Sequence, residues 1–186
     1  MTQLVSARNG VITPEMKAVA ESEKIPLEIL REGIAQGLIV IPRNKNHDQC
    51  RPTGIGKGLR TKVNANIGTS SEHCHLEEEI RKLEASIEAG TDTVMDLSTG
   101  GNLDHIRKIL IQRSPVPLGT VPIYQCVVEI LGKGKQIPEL DESLILDTVR
   151  RHAESGVDFI TIHSGLTMGA VQKMRKRRIM DVVSRG

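Results

Sequence analysis

His163 follows the apolar run 159–162 and precedes Ser164 and Gly165. In a parallel α/β protein that position, the C-terminal end of a strand, holds acid–base and ligand-binding groups. A histidine that caps a loop is the plainer reading. Asn66 stands at a second strand end, two residues before Gly68. Its amide offers both a donor and an acceptor, which suits a polar heterocycle; an Asn in a turn is the competing role. Asn66, Met95 and Tyr124 recur at a spacing of 29 residues. That period accommodates a strand, a helix and two loops, so the three are expected at equivalent strand ends. Tyr124 reads equally well as a hydrogen-bonded core tyrosine. Ser184, Arg185 and Gly186 combine a hydroxyl, a guanidinium and a flexible residue, a set that suits a phosphate or carboxylate; frayed chain is the alternative.

Other clusters carry less. Asp96, Ser98 and Thr99 either bind a phosphate or cap the helix after Gly101, and capping is the commoner use of such hydroxyls. His73, Cys74 and His75 are adjacent, whereas structural zinc prefers ligand pairs separated by two to four residues. Gly54, Gly56 and Gly58 surround Lys57 ahead of a strand. A phosphate-binding loop follows a strand and needs Lys-Ser/Thr at its end, so that motif fails. The basic run 173–178 reads as the solvated C-terminal end of a helix, where cations suit the dipole.

These groups need a scaffold. Thr13 caps and Pro14 opens a first helix, and Pro26 opens a second with the stripe Leu27, Leu30, Ile34. Residues 38–42 are a short buried run stopped by proline, and 43–58 form a loop. From 59 onward strands and helices alternate: strand 59–66, helix 73–89 with Leu76, Ile80, Leu83 and Ile87 inward, strand 92–97, and helix 102–113 with Leu103, Ile106 and Leu110 inward. Then come strand 117–124, loop 131–140, a helix capped by Asp141 with Ile145, Val149 and Ala153 inward, strand 158–163, a helix around 166–174 and a strand at 179–183. Alternation of this kind implies a parallel sheet, as a doubly wound sheet or a (β/α)8 TIM barrel. A whole barrel takes roughly 250 residues, so 186 residues hold about five units, behind an N-terminal segment at 1–58.

Composition narrows the partners. A formal charge of +2 and aromatics at 1% argue against nucleic acid, which calls for a basic surface or stacking platforms. No apolar run approaches the roughly 18 residues of a membrane span, and the first residues lack signal-peptide architecture. Cys50, Cys74 and Cys126 are odd in number and scattered, as expected of reduced thiols in a cytoplasmic protein.

Seven segments together resemble one family: ARNGVITPEM at 7–16, NANIG at 64–68, DTVMDLSTG at 92–100, SPVP at 114–117, GTVPIYQ at 119–125, GVDFITIH at 156–163 and SRG at 184–186. They are similar to phosphomethylpyrimidine synthases, the ThiC family of thiamine biosynthesis. The resemblance implies a (β/α)8 barrel, a homodimer and a lyase-type radical S-adenosylmethionine reaction. In that reaction 5-aminoimidazole ribonucleotide becomes 4-amino-5-hydroxymethyl-2-methylpyrimidine phosphate. It places substrate contacts at Asn66, Met95, Tyr124, His163, Ser184, Arg185 and Gly186. It also implies zinc and a [4Fe–4S] cluster, whose histidines and three-cysteine motif lie in the family beyond the matched region. Cys50, Cys74 and Cys126 are too dispersed to replace that motif. The expectation is therefore the N-terminal portion of such an enzyme, inactive alone. The alternatives are a non-catalytic ribonucleotide-binding or assembly module, and a different phosphate-binding barrel enzyme with His163 as acid or base.

Overall fold

A computed structural model of the chain describes residues 1–177. The expected strand at 179–183 and the triplet Ser184, Arg185, Gly186 lie outside the described residues.

The N-terminal part is three helices against a small hairpin. Helix α1 (Gln3–Arg8) is capped by Thr2 and was not expected from the sequence. Helix α2 (Pro14–Glu23) has Pro14 in its first turn and Thr13 accepting from the Met16 amide, as the residues imply. Helix α3 (Leu27–Ala35) buries Leu30 and Ile34. Strands β1 (Ile39–Val40) and β2 (Ile55–Gly56) pair antiparallel. The run at 38–42 is thus only half buried: Val40 is exposed, and part of the expected loop is a strand. Ala7, Met16, Val19, Leu30, Ile34 and Ile39 form one apolar cluster.

A second cluster lies under a four-stranded parallel sheet in the order β3 (Asn64–Ile67), β4 (Thr93–Asp96), β5 (Leu118–Thr120), β6 (Phe159–Ile160). Helices α4 (Leu76–Glu88) and α5 (Leu103–Arg113) follow β3 and β4, and their leucine–isoleucine stripes fall inward as expected. Leu83, Val94, Leu110 and Leu118 are wholly buried, each stabilising the fold by roughly 1.5–3 kcal/mol. Side chains alternate across a strand. Ala65, Ile67, Val94 and Leu118 meet the helices, so the row Asn66, Met95, Gly119, Phe159, joined in register, falls on the other face. Asn66 there is exposed, and Met95 and Phe159 are half buried. Among the described residues the sheet is open and does not close on itself.

One element differs in kind from the sequence reading. The expected strand 117–124 ends at Thr120, and Pro122 opens helix α6 (Pro122–Gly132) across part of the expected loop. Proline has no N–H for a ladder but is preset for the first turn of a helix, and Cys126, Val127, Val128 and Ile130 continue it apolar. Beyond a 3-10 turn at Ile137–Glu139 comes α7 (Glu142–Glu154), capped by Asp141 as expected. Its buried residues are Thr148 and His152, and the expected inward Ala153 is exposed. Helix α8 (Met168–Arg177) ends the described chain.

Loop 43–51 is sewn to the far end of the sheet. The Asn44 side chain donates to the Ala153 and Val157 carbonyls at 2.7 and 2.8 Å, and the Arg51 amide donates to the Pro115 carbonyl at 2.9 Å.

Candidate functional site

Asn66 and Met95 are direct register partners on β3 and β4. The Asn66 carboxamide oxygen accepts from Asn64 Nδ2 at 2.8 Å. Thr161, just past β6, donates its hydroxyl to the Met95 sulfur at 3.5 Å, so β6 and β4 meet across the open face. Between them β5 presents Gly119. A Cβ there would sit 2.3 Å from the Phe159 ring, so the phenyl group lies over the glycine. Two residues after Thr161, His163 stacks on Tyr124, with ring centroids 6.0 Å apart and planes 29° from parallel. His163 is exposed and lies in the loop after β6 rather than within the strand.

The 29-residue spacing therefore holds for Asn66 and Met95 and fails for Tyr124. The register partner of Met95 is Gly119. Tyr124 sits in the first turn of α6, its amide donating to the Val121 carbonyl at 3.0 Å. It reaches His163 from the helix and not from a strand.

The strand-end loops are held by buried polar contacts. Gly68, with φ +143°, brings backbone against backbone: a Cβ there would stand 2.6 Å from the Leu97 carbonyl carbon and the Ser98 nitrogen. Glu79, 1% exposed in the first turn of α4, accepts from the Gly68 amide at 2.7 Å. Asp96 accepts from both the amide and the hydroxyl of Ser98. Burial pushes the Asp96 carboxyl above its ordinary range, against those two hydrogen bonds. Thr99 hydrogen-bonds the Thr69 carbonyl through its amide, at 3.0 Å, and its hydroxyl. These hydroxyls do not cap α5, whose cap is Asn102. Glu79 stands in the run Glu77, Glu78, Glu79, whose charges all suit a helix N-terminus, so nothing in the run singles out the buried one.

A second network escaped the sequence reading. Gln125, 4% exposed in α6, accepts on Oε1 from Arg107 Nη1 at 2.7 Å and from His152 Nε2 at 2.8 Å. With Nε2 as the donor, His152 accepts a hydrogen bond from the Thr120 hydroxyl on Nδ1 at 2.8 Å. Burial, with Arg107 and Arg151 close by, pushes the His152 pKa down to about 3, so the ring is neutral.

The described residues offer one three-membered group that approaches metal-ligand geometry: His47, Cys50 and Asp158, with ligand atoms within 4.8 Å of one another. The chemistry does not fit an ion. His47 Nδ1 contacts Asp158 Oδ2 at 2.7 Å and Nε2 contacts the Ser114 carbonyl at 2.8 Å. Both partners only accept, so the ring carries both protons. Burial opposes that charge, yet the hydrogen bond and field of Asp158 outweigh it and hold the His47 pKa above its ordinary value. Asp158 also accepts from the Asn44 amide at 2.7 Å and the Leu118 amide at 2.8 Å. Burial, then the Asp158 charge, pushes the Cys50 thiol up to about 12, far from a thiolate ligand. The group is an ionic fastener. His73, Cys74 and His75 are all exposed before α4, and Cys50 and Cys126 are buried on separate elements. Among the described residues Cys50, Cys74 and Cys126 form no three-cysteine group. No helix among the described residues is long and apolar enough to cross a membrane.

The family model described as "Radical SAM ThiC family" matches residues 2–186. The phosphomethylpyrimidine synthase of Thermoanaerobacter sp. (strain X514) is 49% identical over 187 residues, covering 100% of this chain and 43% of that protein. That of Pyrococcus furiosus is 50% identical over 187 residues, covering 100% of this chain and 44% of its own length. The chain thus spans less than half the length of the curated relatives it matches.

Proposed function

The chain belongs to the Radical SAM ThiC family, and from that premise we propose that it forms the substrate-holding wall of a phosphomethylpyrimidine synthase. The reaction is the radical S-adenosylmethionine-dependent rearrangement of 5-aminoimidazole ribonucleotide to 4-amino-5-hydroxymethyl-2-methylpyrimidine phosphate. The architecture in this reading is the first half of a (β/α)8 barrel at 59–186 behind an N-terminal unit at 1–58. Chain-order strands β3 to β6, with α4 and α5 on one face only, support it. A doubly wound sheet reverses strand order and covers both faces.

The observation that carries the reading is the register pair Asn66–Met95 on the face turned away from α4 and α5, with the Tyr124–His163 stack beyond it. Each side chain has a task that matches its chemistry. The Asn66 carboxamide hydrogen-bonds the imidazole or ribose, and Met95 packs its thioether on the ring. Tyr124 and His163 flank the nucleotide with polar-edged rings. Ser184, Arg185 and Gly186 hold the phosphate through hydroxyl, guanidinium and backbone N–H. These residues bind and orient. Cys50, Cys74 and Cys126 do not make a cluster site, so radical generation belongs to further sequence of the complete enzyme, a homodimer in this reading.

Calorimetric titration with 5-aminoimidazole ribonucleotide tests this. The expected result is saturable binding that weakens about tenfold or more in Asn66→Ala and Tyr124→Ala. The 186-residue chain alone, given S-adenosylmethionine and reconstituted iron and sulfide, is expected to form no pyrimidine. Turnover restored by adding a chain that carries a three-cysteine segment separates an enzyme portion from a stand-alone binding module. Wild-type affinity in both variants would sink the site, and turnover by the chain alone would sink the division of labour.

A further inference from the structure

Helix α6 begins at Pro122 after Val121, a residue that makes no side-chain cap. The first turn nonetheless carries Tyr124, whose ring must meet His163. The next residue, Gln125, is tied in four directions. Its Oε1 accepts from Arg107 on α5 and His152 on α7, and its Nε2 donates to Asp104 at 3.0 Å and Glu129 at 2.9 Å. His152 passes the tie on to Thr120, the last residue of β5. Arg107 is itself fixed through Nε to Ser155 at 2.9 Å and through Nη2 to Asp104. Strand β5 and helices α5 and α7 thus converge on one carboxamide.

Only a carboxamide meets this set. Two donors, Arg107 and His152, need an acceptor, and two carboxylates, Asp104 and Glu129, need a donor. A glutamate would set an oxygen against Asp104 and Glu129. A lysine would set its charge against Arg107. Gln125, Arg107 and His152 are buried, so a mismatch on the acceptor side costs the desolvation of an unpaired group, whereas Asp104 is exposed and a mismatch there costs less.

We propose that Gln125 is a positioning residue: through the Arg107–His152 network it seats the first turn of α6 and holds Tyr124 against His163. The inference deepens the proposed function, resting on the reading that Tyr124 lines the nucleotide site. It touches no substrate itself.

The test uses the full chain. Tyr124 is its one tyrosine, beside one phenylalanine and no tryptophan, so the near-ultraviolet circular dichroism band of tyrosine reports that ring alone. Gln125→Met keeps the shape and removes all four polar contacts; Gln125→Glu keeps the acceptor and loses the donor. The expected order of band strength in the folded proteins is wild type, then Q125E, then Q125M, with the band of Q125M largely lost. Affinity for 5-aminoimidazole ribonucleotide follows the same order. It falls about tenfold in Q125M if the seated turn is then populated about a tenth of the time. A purely structural role lowers the unfolding midpoint and leaves the folded-state band at full strength, and that result overturns the proposal. If Q125M does not fold, Q125E decides alone: a wild-type band overturns the proposal and a weakened one supports it. The band needs no ligand. A wild-type chain with a strong tyrosine band and no affinity for the ribonucleotide refutes the functional reading and leaves the positioning question to the band.

Discussion

Replacing His152 by glutamine converts the buried network into a measurement of acid sensitivity. In the folded chain the His152 ring is neutral, its pKa pushed down to about 3, whereas an unfolded histidine titrates near 6.5. Between those values the unfolded chain binds a proton that the folded chain refuses, so stability falls as pH falls. One such group removes about 1.4 kcal/mol per pH unit below pH 6.5, and about 5 kcal/mol over the whole interval. That total is comparable with the entire stability of a small domain, roughly 5–15 kcal/mol. The assay is urea unfolding at several pH values from about 6.5 down to about 5, above the range in which ordinary carboxylates titrate. Asp96, pushed up by burial, runs the other way: its folded form keeps a proton that the unfolded chain has lost, so it favours the folded state as pH falls. The difference in slope between wild type and His152→Gln therefore carries the test, whatever the absolute stabilities. The expected difference is about 1 kcal/mol per pH unit, with the variant the flatter. Equal slopes would refute the reasoning and mean that the ring is hydrated or protonated in the folded chain.

His47 titrates with the opposite sign. Its folded pKa is raised, so its contribution is complete below about pH 6.5 and is lost as pH rises through the folded value; His47→Gln is expected to flatten the alkaline decline in urea midpoint. Because Asp158 is buried against it, His47→Leu leaves a buried carboxylate with its two amide donors but no counter-charge and is expected to cost about 3 kcal/mol in the same assay. Gly100→Ala places a Cβ 2.1 Å from the Ser70 carbonyl oxygen, and since backbone cannot swing aside the expected loss is about 2 kcal/mol or more, read as a lower thermal midpoint. Cys74 is exposed while Cys50 and Cys126 are buried, so a thiol reagent is expected to label Cys74 alone in the folded protein, with the label located by peptide mass.

The parts of the fold legible in the residues were those governed by local repetition. Leu76, Ile80, Leu83 and Ile87 on α4 and Leu103, Ile106 and Leu110 on α5 announce their inward faces, and the caps at Thr13 and Asp141 announce where helices begin. Register between strands is set by pairing and not by count. A fixed spacing correctly aligned Asn66 with Met95 but carried Tyr124 past Gly119 into α6. The face of α7 was misjudged because its buried positions, Thr148 and His152, are polar and so do not enter an apolar stripe. Gln125, Arg107 and His152 draw their meaning from partners 18 to 45 residues apart. No short window holds both ends of such a bond. The likeness to a known family drew the site residues into one set, and Ser184, Arg185 and Gly186, which lie outside the described residues, rest on that likeness and on the chemistry of their side chains.

The fastener between His47 and Asp158 also sets a timetable. The two residues are 111 positions apart. A ribosome adding roughly 5–20 residues per second completes that span in roughly 5–20 s. Through that interval His47 has no carboxylate to meet, and Asn44 has neither the Ala153 nor the Val157 carbonyl. The N-terminal helices have their own apolar cluster to form around, but the contacts of loop 43–51 to Ala153, Val157 and Asp158 cannot form until that segment has left the exit tunnel. Biogenesis of this chain thus runs in two stages, with early helices waiting on a late strand.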